Sequence, residues 1–361
     1  MNRLKSMDKK TKSNFITYGM VIIAYLIMQG LITSQSISST LNGLLIPLCY
    51  YVILAISLNL TVGILGELSL GHAGFMCVGA FTSAFFSRIT KDLITNVSLR
   101  FMLAILIGAA FAAIFGIIIS LSVTRLSGDY LAIVTLAFGE IIKNVINALY
   151  VGSDSTGFHF SLKDVAGLGL NTDGKVVVQG AMGITKIPRD STFIVGIILV
   201  LITLVIVLNL IHSRAGRAIM AVRDNRIAAE SVGINIKKYR VMAFSISASL
   251  AGVAGVLYAH SMSQITASPD KFGYNASIAI LVFVVLGGIG KVRGSMIAAI
   301  ILTMLPEYLR FLKDYRMLIY AIVLIIMMIF NWSPKIIAWR STHSLKRFVK
   351  GLIKKNQEEI K

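Results

Sequence analysis

The chain has 361 residues, of which 56% are hydrophobic and only 14% are charged. A water-soluble domain of this length cannot bury so much apolar surface, so the composition predicts an all-α polytopic membrane protein whose outward side chains face lipid. The net charge of +19 would suit nucleic acid, but neither a soluble basic domain nor a mixture of basic and aromatic residues accompanies it. The two cysteines lie inside apolar runs, and their spacing predicts neither a disulfide nor a metal site.

Ten apolar runs come close to the roughly 20 residues that a membrane-spanning helix needs. They are residues 15–33, 41–65, 68–87, 101–123, 130–150, 192–211, 241–260, 274–290, 294–312 and 316–332. Several are short or contain glycine, so we expect about ten transmembrane helices (eight to ten), some of them discontinuous. The first run is nearer in length to a spanning helix than to the apolar part of a signal peptide, and it is interpreted as a retained helix.

The basic residues indicate which ends of these helices face the cytoplasm. If the N-terminus is inside, 23 of the 35 lysine and arginine residues fall on the cytoplasmic side. They lie in the tail 1–14, at Arg125, in the loop 212–240, at Lys291 and Arg293, and in the tail 333–361. This bias predicts a transmembrane domain over 15–332 with an even number of spans and both termini in the cytoplasm.

Residues 151–191 are too polar to span a membrane and are predicted to form an extracytoplasmic loop. Asp173 and Gly174, between LGLN and KVVVQ, predict a hairpin turn. A long loop of this kind is either a docking surface or a disordered connector, and both interpretations stay open.

Two runs carry small residues at every fourth position. Gly108, Ala112, Gly116 and Ser120 form one stripe, and Ser247, Ala251, Gly255 and Ala259 form the other. Such stripes let two helix backbones approach closely in lipid. They predict packing within the bundle or against a second copy of the chain or a paralogue.

The segment 59–81 is rich in glycine and carries several polar residues between apolar flanks. Glycine permits a helix break, whose freed backbone groups must be buried or line a wet cavity. Candidates for a solute path are Asn59, Gly66, Glu67, Ser69, Gly71 and His72, together with Glu140 farther along the chain. For Glu67 the alternative is a position at the cytoplasmic membrane edge, and for His72 it is a role in helix packing. Glu140 and Lys143 are three residues apart on one helix face, where they can simply neutralise each other.

The sequence contains no recognisable nucleotide or catalytic site. GGIGKVRG at 287–294 has a valine where the serine or threonine of a phosphate loop would stand, and it follows an apolar run instead of a strand. We therefore expect this chain to be no enzyme and to bind no cofactor or metal of its own.

The basic segment 214–240 lies between two long apolar runs and is too polar to span. Its centre, residues 227–234 with the sequence IAAESVGI, resembles in a diverged form the Glu-Ala-Ala…Gly loop of ABC importer permeases. In those proteins a short helix from this loop docks on the ATPase subunit. The resemblance implies coupling roles for Arg217, Arg223, Asp224, Arg226, Ala228, Ala229, Glu230 and Gly233. Without it, an amphipathic helix lying on anionic lipid would be equally suitable.

Further blocks extend the resemblance over most of residues 40–330. The runs LNLTVGILGELSLGHAGFMCVGAF, RLSGDYLAIVTLAFGEIIKNV and SPDKFGYNASIAILVFVVLGGIGKVRG are similar to branched-chain amino acid ABC transporter permeases, and the second favours the LivM-type over the LivH-type subunit. The resemblance implies a homologous second permease, two cytoplasmic ATPase subunits that carry ATP and magnesium, and an extracytoplasmic solute-binding protein. It implies a place in the bacterial plasma (inner) membrane and import of leucine, isoleucine and valine.

Alternatives remain for the solute and for the energy source. Urea, amide and nucleoside permeases share much of this pattern. A secondary transporter driven by ions through Glu67, His72, Glu140 and Lys143 is the main rival, and a membrane scaffold that transports nothing is a third class.

Overall fold

In a computed structural model, the structure describes residues 9–34, 38–123, 126, 128–154, 157–171, 174–310 and 315–332. The predictions for Arg125, Asp173, residues 1–8 and the tail 333–361 lie outside these residues. The chain divides into two compact units, Met1–Thr303 and Met304–Lys361.

Every predicted span coincides with a long helix, with ends that differ by a few residues. The helices are α1 (Lys9–Thr33), α2 (Ser39–Asn59), α3 (His72–Ile89), α4 (Val97–Ser122), α5 (Asp129–Ala148), α6 (Phe193–His212), α7 (Arg214–Asp224), α8 (Arg226–Ser231), α9 (Ile236–Ser261), α10 (Pro269–Phe272), α11 (Tyr274–Gly287), α12 (Val292–Tyr308) and α13 (Arg316–Trp332). Of these, α7, α8 and α10 are short and lie between the long ones.

Among the described residues, seven helical stretches are long and apolar enough to cross a membrane. The first is Asn14–Thr33 within α1, and the second, Ser39–Leu65, extends past the end of α2. The others are α4, α5, α6, α9, and α10 together with α11. The other three long helices are shorter, with 18 residues in α3 and 17 each in α12 and α13. A helix of this length spans about 25 Å at 1.5 Å per residue, which is at the lower limit for a bilayer core.

The interior of the first unit is built around α2 and α9. In the apolar part of α2, 89% of the residues are buried, compared with 28% in α4 and 39% in α6. The outer helices expose large apolar side chains instead, among them Leu106, Phe111, Ile198 and Ile202. Such exposure suits contact with lipid, where apolar side chains need no protein cover.

The small-residue stripes pack α9 between α4 and α3. A Cβ atom added at Gly116 would lie 2.5 Å from the Cβ of Ala248, and one at Gly252 would lie 2.5 Å from the Cβ of Ala112. On another side of α9, a Cβ at Gly255 would lie 2.1 Å from the Met76 carbonyl oxygen. The structure thus uses both stripes for packing within one chain.

The protein is mostly helical, as predicted, but within the described ranges five short strands accompany the helices. They are β1 (Tyr150–Asp154), β2 (Gly157–Ser161), β3 (Lys175–Gln179), β4 (Ile184–Thr185) and β5 (Gln264–Ile265). The first three form an antiparallel sheet in the order β2-β1-β3, and β4 pairs with β5. Backbone groups in this polar region need hydrogen-bond partners, and short strand pairs supply them.

The predicted hairpin between LGLN and KVVVQ is wrong in its pairing. β3 pairs with β1, with Val151 opposite Val178, and β1 also forms the hairpin with β2. The LGLN residues are in a 3₁₀ turn and in loop, because Asn171 N–H donates to the carboxylate of Asp154 instead of joining a strand ladder. Gly174 N–H donates to the Asn171 carbonyl at 2.8 Å.

The sheets and the segment of α7 and α8 lie at opposite ends of α9. That helix begins at Ile236, directly after the segment, and ends at Ser261, three residues before β5. Its 26 residues span about 39 Å, enough to cross a bilayer. The two regions therefore face opposite sides of any membrane that α9 crosses.

The second unit holds the end of α12 and all of α13. Within it, Glu307 and Arg310 form an ion pair at 2.9 Å, and the Arg310 side chain is 70% exposed.

Candidate functional site

The centre of the basic segment forms a short capped helix, α8. Asn225 caps its start, its side-chain oxygen accepting from Ala228 N–H at 3.0 Å. Gly233 ends it with φ of 83°, the left-handed conformation that favours glycine. The N–H groups of Gly233 and Ile234 donate to the carbonyls of Glu230 and Ala229 at 2.9 and 3.0 Å. Both ends of α8 are therefore specified by single residues.

Two large apolar side chains of this region point into solvent. Ile227 is 83% exposed and Val232 is 74% exposed, whereas Ala229 between them is buried. An open cleft of about 510 Å³ adjoins α8 and is lined by Arg226, Glu230, Gly233, Ile234, Asn235, Ile236, Lys237 and Arg240. This exposed apolar pair on a polar surface is suited to a contact with another protein or with lipid.

Most of the predicted coupling residues are accessible. Arg217, Asp224, Arg226, Ala228 and Glu230 are exposed, and of the predicted set Ala229 alone is buried. The Arg217 guanidinium donates to the His212 carbonyl at 3.1 Å, which closes the turn between α6 and α7.

The glycine-rich segment forms a break between α2 and α3. After Asn59, residues Leu60–Leu65 continue α2 as a π-helix, and Gly66 ends it with φ of 78°. Residues 66–71 are not helical, and α3 starts at His72. π-Helical turns are rare and occur often at functional sites.

Arg223, in the last turn of α7, lies on this break. Its Nη1 donates to the Gly63 carbonyl at 3.0 Å. A Cβ added at Gly66 would lie 2.4 Å from the Cγ of Arg223, so the arginine stem covers that glycine. Its guanidinium also pairs with Asp224 at 2.8 Å, and the side chain remains 36% exposed.

Arg240, in the first turns of α9, holds the other side of the break. Its Nε donates to Glu67 at 2.6 Å, and its Nη2 donates to the Leu126 carbonyl at 2.8 Å. Arg240 is fully buried. Burial raises the pKa of the Glu67 carboxyl, and the nearby guanidinium of Arg240 opposes that rise. Glu67 thus lies at the end of the molecule that carries α7 and α8.

Asn59 ties the break to the turn between α11 and α12. Its amide nitrogen donates to Ser295 Oγ at 2.9 Å, and its oxygen accepts from Gly290 N–H at 2.8 Å. A Cβ at Gly63 would lie 2.4 Å from the Gly290 nitrogen, so the two backbones are in contact. The glycines of GGIGKVRG therefore serve close packing.

Ser69, Gly71 and His72 are buried on the other side of the break. His72 Nε2 is 2.7 Å from Ser57 Oγ, and Leu70 N–H donates to Thr135 Oγ1 at 3.1 Å. Ser69 Oγ and His72 Nδ1 have no hydrogen-bond partner among the described residues.

Glu140 stands in a different set of contacts. It pairs with Lys143 on its own helix, and its other oxygen accepts from Tyr274 N–H at 2.7 Å. The candidate path residues are thus divided between the break and the start of α11. Within the described residues, no three histidine, cysteine, aspartate or glutamate side chains come together to hold a metal ion.

Sequence reasoning missed several residues that complete this region. Arg240, Thr135, Ser57 and Ser295 supply partners to the break from α9, α5, α2 and α12. Only Arg240 had a detectable feature, as the last basic residue before an apolar run. The others are single hydroxyl groups in apolar segments, and their partners lie far away in sequence.

The sequence matches one protein family over most of its length. The family described as "Branched-chain amino acid transport system / permease component" matches residues 39–329. No solved structure gives a significant match.

Curated relatives are permeases. The high-affinity branched-chain amino acid transport system permease protein LivM of Escherichia coli is 33% identical over 79% of this chain and 67% of the relative. The corresponding LivH protein of Salmonella typhimurium is 25% identical over 70% of this chain and 79% of the relative. The fructose import permease protein FruG of Bifidobacterium longum is 31% identical over 33% of this chain and 36% of the relative.

Proposed function

The chain belongs to the permease family of branched-chain amino acid transport systems, and on that premise we propose that it is the LivM-type membrane subunit of an ATP-binding-cassette importer. In this proposal it resides in the bacterial plasma membrane with both termini in the cytoplasm. It imports leucine, isoleucine and valine. The higher identity to LivM than to LivH supports the choice of subunit.

The proposed complex contains three kinds of partner protein. A homologous LivH-type permease pairs with this chain in the lipid bilayer. Two ATPase subunits bind on the cytoplasmic side and hold ATP and magnesium, which this chain does not bind. A solute-binding protein docks on the opposite side, where the loop 151–191 with its strands is available to receive it.

The geometry of α8 carries the proposal. A six-residue helix with specified ends exposes Ile227 to solvent at one end of α9, and Val232, directly after the helix, is exposed as well. Lipid would suit the apolar pair, but the arginines and acidic residues on the same surface favour a protein groove of mixed charge. We assign this groove to the ATPase subunit.

The mechanism follows from where α8 is attached. ATP closes the ATPase dimer and moves α8, and the bundle shifts between inward-open and outward-open forms. ATP drives this shift because it binds the two forms with different affinity. The solute passes between the paired permeases near the break, with Asn59, Gly66, Glu67, Ser69, Gly71, His72 and Glu140 as candidate path residues.

Charged substitutions in the exposed apolar pair test the docking assignment. In the Ile227→Asp and Val232→Asp double variant, we expect co-purification of the ATPase subunit to fall at least about tenfold, because an apolar contact is replaced by two charges that must be desolvated. Quantitative gel analysis of the purified membrane complex measures the amount of bound ATPase subunit. The matched control is Leu93→Asp. Leu93 is 79% exposed in the turn after α3.

Retention of the ATPase at the wild-type ratio in the double variant would contradict the docking assignment. Loss of the ATPase in the Leu93→Asp control as well would show that any new exposed charge disrupts the complex.

A further inference from the structure

Three polar side chains connect the break between α2 and α3 to α7, to α9 and to the turn between α11 and α12. Arg223 of α7 binds the Gly63 carbonyl, Arg240 of α9 binds Glu67, and Asn59 binds the turn at Gly290. The two arginines differ in how firmly they are fixed, and that difference has a mechanical consequence.

Arg240 is a fixed attachment. Its side chain is 1% exposed, and it bonds both Glu67 and the Leu126 carbonyl from the central helix α9. To leave Glu67, the guanidinium would have to abandon a buried ion pair, which is strongly unfavourable. Glu67 therefore stays with α9 when other parts move.

Arg223 is an exchangeable attachment. Its side chain is 36% exposed, so water can replace the Gly63 carbonyl as a partner of the guanidinium. Gly63 is in the last turn of the π-helix, where carbonyl groups lack intrahelical partners. The bond can thus form and break without leaving a buried charge.

Arg223 is also the point at which α8 reaches the membrane part. α7 ends at Asp224, Asn225 alone connects it to α8, and the backbone at Asn225 is extended with φ of −155°. A displacement of α8 is therefore delivered to the last turn of α7. Arg223 belongs to that last turn, and its aliphatic stem lies against Gly66 of the break. A displacement of the turn therefore reaches the break directly.

We propose that Arg223 is the positioning residue that transmits movement of α8 to the break at Gly63–Gly71, while Arg240 keeps Glu67 in place. The inference rests on the proposed function, because the movement of α8 comes from the ATPase subunits. Opening the bond between Arg223 and Gly63 frees the π-helical turn to rearrange against the fixed Glu67. The rearrangement reaches Ser69 and His72, at the start of α3.

The test compares transport with ATP hydrolysis in the complete complex. The full chain is assembled with its second permease, ATPases and solute-binding protein in proteoliposomes, and leucine uptake and phosphate release are measured together. For Arg223→Ala, we expect uptake per ATP hydrolysed to fall about tenfold or more, because a hydrogen bond from a charged donor is lost. Because uptake is expressed per ATP hydrolysed, a change in the amount of bound ATPase does not by itself change the ratio. Arg223→Lys should restore at least half of the ratio, since one ammonium group can still donate to the Gly63 carbonyl.

The matched control is Arg214→Ala, which removes the same charge from the exposed start of the same helix. Its uptake per ATP should stay at the wild-type value. A wild-type ratio in Arg223→Ala would overturn the inference and leave the proposed function intact. If the wild-type complex hydrolyses ATP without importing solute, the proposed function fails instead.

Hydrogen–deuterium exchange of the unmutated complex provides a second measurement, independent of whether the variants assemble. On ATP binding, the amides of residues 63–71 should change their exchange rate, whereas those at the Arg240 turn of α9 should not. Equal exchange in both ATP states at 63–71 would overturn the inference. In Arg223→Ala the ATP-dependent change should disappear.

Discussion

At the scale of single residues, the ion pair of Glu67 and Arg240 decides how the break is held. The pair is formed by residues 173 positions apart, and both side chains are largely buried. Removing one partner of a buried pair leaves the other charge poorly compensated, which costs far more than losing a surface pair.

For Glu67→Ala we expect the free energy of unfolding in detergent to fall by about 3–5 kcal/mol. Glu307→Ala is the matched control, because its partner Arg310 is 70% exposed, and there the loss should be about 0–1 kcal/mol. Denaturant titration of the purified chain measures both. Equal losses of unfolding free energy in the two variants would show that the buried Arg240 guanidinium does not need the Glu67 carboxylate to compensate its charge.

The sequence identified Glu67 as notable but not its partner. Polar residues in a glycine-rich apolar run indicate a break, and Glu67 was assigned either to a solute path or to the cytoplasmic membrane edge. The structure places it beside Arg240 near α7 and α8, and both alternatives stay predictions. Its role in transport stays a prediction. Long-range partners such as Ser295 and Thr135 were not predictable, since single hydroxyl groups carry no pattern.

At the scale of elements, α9 depends on backbone contacts that only glycine allows. A Cβ at Gly255 would lie 2.1 Å from the Met76 carbonyl oxygen, whereas a Cβ at Gly43 in α2 meets no atom within 4 Å. The same substitution should therefore have opposite effects at the two sites.

We expect Gly255→Ala to lower the free energy of unfolding by about 1–3 kcal/mol, because α3 must move away from α9. Gly43→Ala should leave it unchanged or raise it by about 0.5–1 kcal/mol, since alanine favours the helix. Thermal unfolding in detergent, followed by circular dichroism, distinguishes the two. Equal stability of the two variants would contradict the close approach of α3 and α9.

The long helices were predictable from the sequence because most of them are apolar runs of nearly membrane length. The small-residue stripes also indicated close packing, but a four-residue repeat does not by itself identify the helices that pack together. The predicted hairpin includes KVVVQ, which is the strand β3, but the pairing of β3 with β1 was missed because the two strands lie more than 20 residues apart in the chain. A local turn pattern predicted the wrong hairpin because it carries no information on such distant pairing.

At the scale of the whole molecule, the chain is a multi-pass membrane protein of the permease family, with the short helix α8 near one end of α9 and a small sheet near the other. In the proposed function, transport is driven by ATPase subunits attached at α8.

The most direct test of that claim is leucine uptake by the reconstituted complex, with ATP supplied on the side of α8 and with ionophores present to remove proton and sodium gradients. The account predicts uptake that requires ATP and is unchanged by the ionophores. Uptake that continues without ATP and stops when the ion gradients are removed would contradict it and would favour an ion-coupled transporter.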